Sequence, residues 1–337
     1  MREMVPIQDF LKVHYGKALK EDGRDGSGTF EVFGSSGFVG NHNKTLVDFP
    51  TIIIGRKGSV GAITYAPNGG WPIDTTFYVE PINSKQIDLR YLFYAFKNAK
   101  LARHTITTSI PGLNRNDIYK TEIPLPPLAE QQRIAAILDQ ADALRTKRRA
   151  ALAKLDTLLQ ATFLDMFGDP VTNPMGWEVK PLGEVTDVKT GSTPSREHEG
   201  NYGGIVPWVK TTEVNWGTIT QTEETVSKQG IKSARLKTYP KNSILIAMYG
   251  QGKTRGKSAV LGIDATVNQA CAVLLPTNKF ETEYIAVLLK HSYETIRNLG
   301  RGGNQPNLNL ELVKSFQIPL PPVELQNDFS KIIKKIL

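Results

Sequence analysis

The residues whose spacing most resembles a chemical motif are Ala247 to Thr254, within ILIAMYGQGKTRG. They match a relaxed phosphate-binding loop, with alanine in the first glycine position and Gly252-Lys253-Thr254 in the key ones. Such a loop holds phosphate only where a helix follows, because the helix N-terminus supplies the amides and the dipole. Here RGKSAVLGIDATVNQ follows and reads as turn and strand, with Gly256 and Gly262 and no later strand ending in a magnesium-binding aspartate. Nucleotide binding through Lys253 is therefore kept only as an alternative.

Other catalytic patterns are incomplete. GGNQPNLN, Gly302 to Asn309, has part of the Asn-Pro-Pro-aromatic signature of amino-methyltransferases, but the second proline and the aromatic are missing. Asp and Glu residues are scattered without the clustering that metal-dependent nuclease chemistry needs. The five histidines, at 14, 42, 104, 198 and 291, lack metal-ligand spacing, and the single cysteine, Cys271, sits in the apolar run ACAVLL as a buried strand thiol.

What does recur is positive charge on glycine turns. IIIGRKGSVGA carries Arg56 and Lys57, and YGQGKTRGK carries Lys253, Arg255 and Lys257. Glycine lets backbone approach a duplex closely, and these cations can meet phosphates or base edges. The same charges can also be solvated turn residues. SIPGLNRND and GRGGNQPNLN form a second paired loop, from which Arg115, Arg301 and Asn304 can reach DNA or serve structure; Lys17, Lys44 and Lys210 complete the expected DNA-binding set.

These loops need elements to carry them, and the dominant element is IPLPPLAEQQRIAAILDQADALRTKRRAALAKLDTLLQATFLDMFGDP. Pro126 and Pro127 suit a first helical turn, and Glu130 complements the dipole. Ile134, Leu138, Ala141, Leu144, Leu152, Leu155, Leu159, Phe163 and Met166 recur at three- and four-residue steps, predicting one apolar face throughout. Gly168 and Pro170 stop the helix near Phe167. A helix from Leu128 to Phe167 is roughly 60 Å long, too long for one small core. The RTKRR run, Arg145 to Arg149, is either a solvated face or a contact for phosphate or an acidic surface.

The chain also repeats itself. IPLPP occurs at Ile123 and Ile318, each ten residues after a Leu-Asn pair, Leu113-Asn114 and Leu308-Asn309, with Pro111 and Pro306 at one offset. YLFYAF at Tyr91 corresponds to YIAVLL at Tyr284, and VPIQDF leading to Gly16 corresponds to VKPLGE leading to Gly191. Two α+β, β-rich modules follow. In each, a buried strand (TIIIG, SILIAM) leads through a glycine loop to further strands, among them ATVNQACAVLLP. A late helix closes each module, over DLRYLFYAFKNAKLARHT and TEYIAVLLKHSYETIRNLG. The expected organisation is a first domain over 1–121, the long helix over 122–169, a second domain over 170–316, and the start of a second helix over 317–337. That second helix, VELQNDFSKIIKKIL, is much shorter than the first. Either the chain is shortened there or another chain covers the exposed face.

With 337 residues and a net charge of +8, the chain is long enough for two cores and favours an acidic partner such as nucleic acid. No apolar run approaches a membrane span, MREMVPIQDF lacks a signal-peptide core, and the expected location is the cytoplasm.

These segments together resemble the specificity subunit of a type I restriction–modification enzyme. The resemblance rests on the long helical segment, the second IPLPPVELQ, WEVKPLGEVTDVKTGSTP, and the paired GSSGFVGNHN and IIIGRKGSVGA, and it spans nearly the whole chain. It implies two target recognition domains, each reading half of an interrupted site in double-stranded DNA, and two antiparallel helices that set their separation. It also implies that methyltransferase subunits using S-adenosylmethionine dock on the helices, here through Leu138, Leu144, Leu152, Leu155, Leu159 and Phe163. The short second helix departs from the family pattern, and the Leu152–Met166 face it leaves exposed is expected to pair with a second copy or with a methyltransferase subunit. A restriction subunit, a motor–nuclease using ATP and magnesium, would join the complex. The chain itself would carry no catalytic residue and no cofactor. A helical scaffold that holds partners without reading sequence is the other alternative.

Overall fold

The computed structural model describes residues 4–24, 28–99, 101, 112–250, 252–300 and 307–336. The chain is mixed α+β and forms two compact units, Met1–Arg149 and Ala150–Leu337.

The first unit contains β1 (Met4–Pro6), β2 (Leu11–Tyr15), β3 (Phe30–Gly34), β4 (Gly37–His42), β5 (Thr51–Gly55), β6 (Ile63–Ala66), β7 (Trp71–Pro72), β8 (Thr76–Pro81) and β9 (Glu122–Pro124). Its helices are α1 (Leu89–Ala99), α2 (Arg115–Lys120) and the first part of α3 (Leu128–Phe167). A four-stranded sheet in the order β2-β8-β5-β6 accompanies a three-stranded sheet, β4-β3-β7. Every residue of β5 is buried because both faces of this strand are covered. Ile52 and Ile54 join Leu92 and Phe96 of α1 in the main core, while Ile53 packs with Phe33 of β3.

The second unit contains β10 (Val179–Pro181), β11 (Val188–Thr190), β12 (Tyr202–Val209), β13 (Thr218–Ile219), β14 (Glu224–Val226), β15 (Ile244–Ala247), β16 (Ser258–Leu261), β17 (Thr266–Val267), β18 (Cys271–Leu274) and β19 (Gln317–Pro319). With them come the end of α3, then α4 (Leu182–Val185), α5 (Lys228–Ala234), α6 (Thr282–His291), α7 (Tyr293–Asn298), α8 (Leu310–Lys314) and α9 (Val323–Ile336). Its sheets run β11-β18-β15-β16-β13 and β14-β12-β17. The segment expected as one strand, ATVNQACAVLLP, is two, because Cys271 turns back to the Asn268 carbonyl between β17 and β18. The late helix is likewise two, broken at Ser292. Cys271 is fully buried, and burial pushes its thiol pKa well up.

The repeat seen in the sequence extends to individual hydrogen bonds. β1 pairs antiparallel with β9 and β10 with β19, so the two IPLPP segments occupy the same place. Tyr91 Oη donates to the Pro124 carbonyl at 2.6 Å, and Tyr284 Oη to the Pro319 carbonyl at 2.9 Å. Buried Gln131 accepts the Asp88 amide and donates to the Pro126 carbonyl; buried Gln326 accepts the Glu281 amide and donates to the Pro321 carbonyl. Asn114 and Asn309 cap α2 and α8. A side chain on Gly16 would collide with the Ile73 carbonyl, and one on Gly191 with the Val267 carbonyl, so both close approaches require glycine.

α3 runs over the expected residues. The amides of Glu130 and Gln131 fold back on the Pro127 carbonyl, and Gly168, with φ of +76°, receives the chain at the end. The apolar face is used only at its ends. Ala135 and Ile134 pack in the first core, and Phe163, Phe167, Leu159 and Met166 pack in the second. From Ala143 to Lys154 every residue is exposed. α9 packs on the last turns of α3, where Phe329 meets both Phe163 and Phe167.

Candidate nucleic-acid interface

In the first unit the glycine turn joins β5 to β6. Gly58 and Gly61 have φ of +74° and +73°, and a side chain on Gly55 would strike the Ser59 carbonyl, so the turn must be built on glycine. The backbone of Arg56 is locked: its amide donates to Thr75 O at 2.9 Å and its carbonyl accepts the Leu113 amide at 3.0 Å. The guanidinium then lies 5.0 Å from the Tyr15 ring centroid and donates to the Asp74 carbonyl. Arg115 follows the Asn114 cap and lies 5.1 Å from the same ring, with Nε buried and lacking an acceptor. Two arginines far apart in sequence thus meet on one tyrosine. Lys57, Lys17 and Lys44 are exposed; Lys57 bridges by its backbone to Gly112, and the Lys17 carbonyl accepts Trp71 Nε1.

In the second unit the corresponding turn joins β15 to β16. Ala247 donates its amide to the Lys257 carbonyl and accepts the Gly256 amide, closing a hairpin. The Met248 amide donates to the Ala270 carbonyl of the neighbouring strand, and a turn and β16 follow rather than a helix that could hold a phosphate. This removes the phosphate-loop alternative. Lys253 is exposed, Lys257 Nζ donates to Asn215 Oδ1 at 2.6 Å, and Arg255 Nε is buried without an acceptor. Arg297, which the sequence did not single out, holds this loop. Its guanidinium donates to the Gly252 and Arg255 carbonyls, and neighbouring Tyr293 Oη donates to the Lys253 carbonyl. The i, i+4 spacing of Tyr293 and Arg297 on α7 was the available signal, but their target lies about forty residues upstream.

Lys210 stands apart from the other cations. It pairs with Glu223 and Glu224 at 2.7 and 2.9 Å, and hydrogen bonding to Lys210 holds the Glu224 carboxyl below the usual carboxylate range. Its charge is compensated within the chain. Arg301 and Asn304 lie outside the described residues.

Each of the two β-rich units thus presents a cation-bearing glycine turn between two paired strands. The family described as the type I restriction modification DNA specificity domain matches residues 2–154 and 174–337. The chain belongs to that family. It is 23% identical over 307 residues to the type I restriction enzyme MjaIX specificity subunit of Methanocaldococcus jannaschii, covering 85% of this chain and 70% of that protein. To the MjaVIII specificity subunit of the same organism it is 26% identical, covering 98% of this chain and 81% of the relative. The fold is shared with the type I restriction–modification S subunit from M. genitalium, with a TM-score of 0.71 at 18% identity, covering all of this chain and 89% of that one.

In this specificity-family chain the six helix residues expected to bind a partner differ in burial. Phe163 is fully buried against Tyr284, His291 and Phe329, and Leu159 packs on the same core, so both serve the chain's own fold. Leu138 and Leu155 are half-buried, whereas Leu144 and Leu152 are 67% and 55% exposed. Ile137 and Leu158 are exposed as well. No described helix is long and apolar enough to cross a membrane.

Proposed function

We propose that this chain confers DNA sequence specificity on a type I restriction–modification assembly, each module reading one half of an interrupted duplex site. The observation that carries the reading is the duplicated module: one backbone frame, built twice, presents a glycine turn whose side chains differ between copies. A fixed frame with variable side chains suits readout of two different base sequences by one chain. In this reading residues 1–121 and 170–316 are the recognition domains, and 122–169 and 317–337 the helical segments.

The chain supplies no reacting group to that assembly. Methyltransferase subunits would dock on α3 and bind S-adenosylmethionine, and a restriction subunit using ATP and magnesium would join them in the cytoplasm. Arg56, Lys57, Arg115, Lys253, Arg255 and Lys257 would face DNA. The test is methylation mapping of genomic DNA in cells carrying a cognate methyltransferase subunit, with and without this chain. Adenine methylation at an interrupted motif, present only with the chain, is the expected result. Methylation independent of the chain, or equal binding to all duplexes, would return α3 to a scaffolding role without sequence readout.

A further inference from the structure

Because the two modules share corresponding strand pairings and backbone hydrogen bonds, their side chains can be compared position by position. The Arg56 amide donates to Thr75 and its carbonyl accepts the Leu113 amide; in the second module Met248 makes the same two bonds, to Ala270 and from Leu308. The ladder places Tyr15 opposite Phe77, and Thr190 opposite Ala272 at the matching position. After the capping asparagine comes Arg115 in one module and Leu310 in the other. A guanidinium–phenol–guanidinium cluster therefore stands where the second module has Met248, Thr190 and Leu310.

The cluster is incomplete without an acceptor. Its guanidinium carbons lie 5.0 and 5.1 Å from one ring, so two like charges share a neighbourhood. Among the described residues the arginine ion pairs are those of Arg90, Arg133, Arg145 and Arg196, and neither Arg56 nor Arg115 has a carboxylate partner. Buried Arg115 Nε has no hydrogen-bond acceptor, while Tyr15 is 47% exposed, so the site opens to solvent. A buried N–H donor left unpaired is disfavoured unless a ligand supplies the acceptor. Phosphate and the edge of guanine both could. Contact with an aromatic ring restrains the guanidinium, whose rigid fork matches the coplanar O6 and N7 of guanine; a phosphate contact needs no such restraint.

We infer that Arg56 and Arg115, held on Tyr15, read a guanine in the half-site of the first module, and that the second module reads none from this position. The inference rests on the DNA-reading function proposed above. The test is selection of random duplex DNA by the full chain, with the bound fraction sequenced, for the wild type and for Arg56→Lys, Arg115→Lys and the corresponding alanine variants. Each variant's fold is checked by its melting transition. Lysine keeps the charge and loses the fork. The wild type should enrich a two-part motif with guanine at one position of one half. The lysine variants should lose that preference by about 5- to 150-fold, with the salt dependence and the other half-motif unchanged. Should a lysine variant fail to fold, Tyr15→Leu, which removes the ring, should lower the same preference. A motif that survives in every variant overturns this assignment alone. Binding weakened alike on all sequences, with a shallower salt dependence, identifies a phosphate clamp and overturns it too. A wild type that enriches no motif overturns the DNA-reading function and this assignment together.

Discussion

Two residues with no obvious motif show how the second unit is held. Arg297 ties α7 to the carbonyls of Gly252 and Arg255, so it positions a loop of cations it does not belong to. Arg297→Ala should speed amide exchange in residues 253–257 and weaken recognition of one half-site, with a loss of about 2 kcal/mol in stability; unchanged exchange there would sink the idea. His291 lies on Phe163, ring centroids 5.1 Å apart, with Nε2 buried and without an acceptor. Burial holds its pKa below the ordinary 6.5; Lys290 acts in the same direction, while Asp169 and Asp156 oppose it. The unfolded chain takes up this proton near 6.5 and the folded chain only at lower pH. The unfolded state thus binds more protons between those values, and the stabilisation is complete above about 6.5 and lost as pH falls below it. Urea midpoints should drop between pH 7.5 and 5.5, and His291→Phe, which keeps the stacking, should show a smaller drop. Equal drops in both proteins would place the pH dependence elsewhere.

At the scale of elements, the buried glutamines at the helix starts recur in both modules. Gln131 satisfies the Asp88 amide and the Gln86 and Pro126 carbonyls, and Gln326 the Glu281 amide and the Pro321 carbonyl, around the two IPLPP segments. Replacing either by leucine keeps the volume and strands the backbone groups it satisfies. Each variant should lose about 2–4 kcal/mol by chemical denaturation, and a loss under about 0.5 kcal/mol would show that water replaces the side chain. The glutamine lies in LAEQQRI and VELQNDF, and the sequence showed the repeat without showing what this residue does. The bounds of α3, the strand–glycine turn–strand units and the repeat were legible because each has a local signature: proline and glycine stops, apolar period, matched spacing. The meeting of Tyr15, Arg56 and Arg115 was not legible, since residues forty to a hundred positions apart are brought together by sheet order, which no local pattern encodes. The ion pairs of Lys210 were hidden for a related reason. A lysine reads as free charge until Glu223 and Glu224 are seen to enclose it. The break at Ser292 was hidden by an apolar pattern that continues across it.

For the whole molecule the informative surface is the middle of α3. Twelve consecutive residues, Ala143 to Lys154, are exposed, among them Leu144, Leu152 and the cations Arg145, Lys147, Arg148 and Arg149. Neither core uses these leucines, so their substitution should leave folding within about 0.5 kcal/mol of the wild type. That separation makes docking testable without ambiguity. Leu144→Asp combined with Leu152→Asp should abolish capture of a cognate methyltransferase subunit while leaving the melting transition and the DNA motif of the isolated chain intact. Reversing the charge of Arg148 and Arg149 to Glu should weaken capture in a salt-sensitive way if the docked surface is acidic. A second copy is a poorer occupant for this stretch, because antiparallel pairing about its centre would set the cationic run against itself; sedimentation should therefore show the leucine variants and the wild type in the same state. Capture that survives both sets of changes would move the docking surface off the helix, and the exposed leucines would then need another explanation.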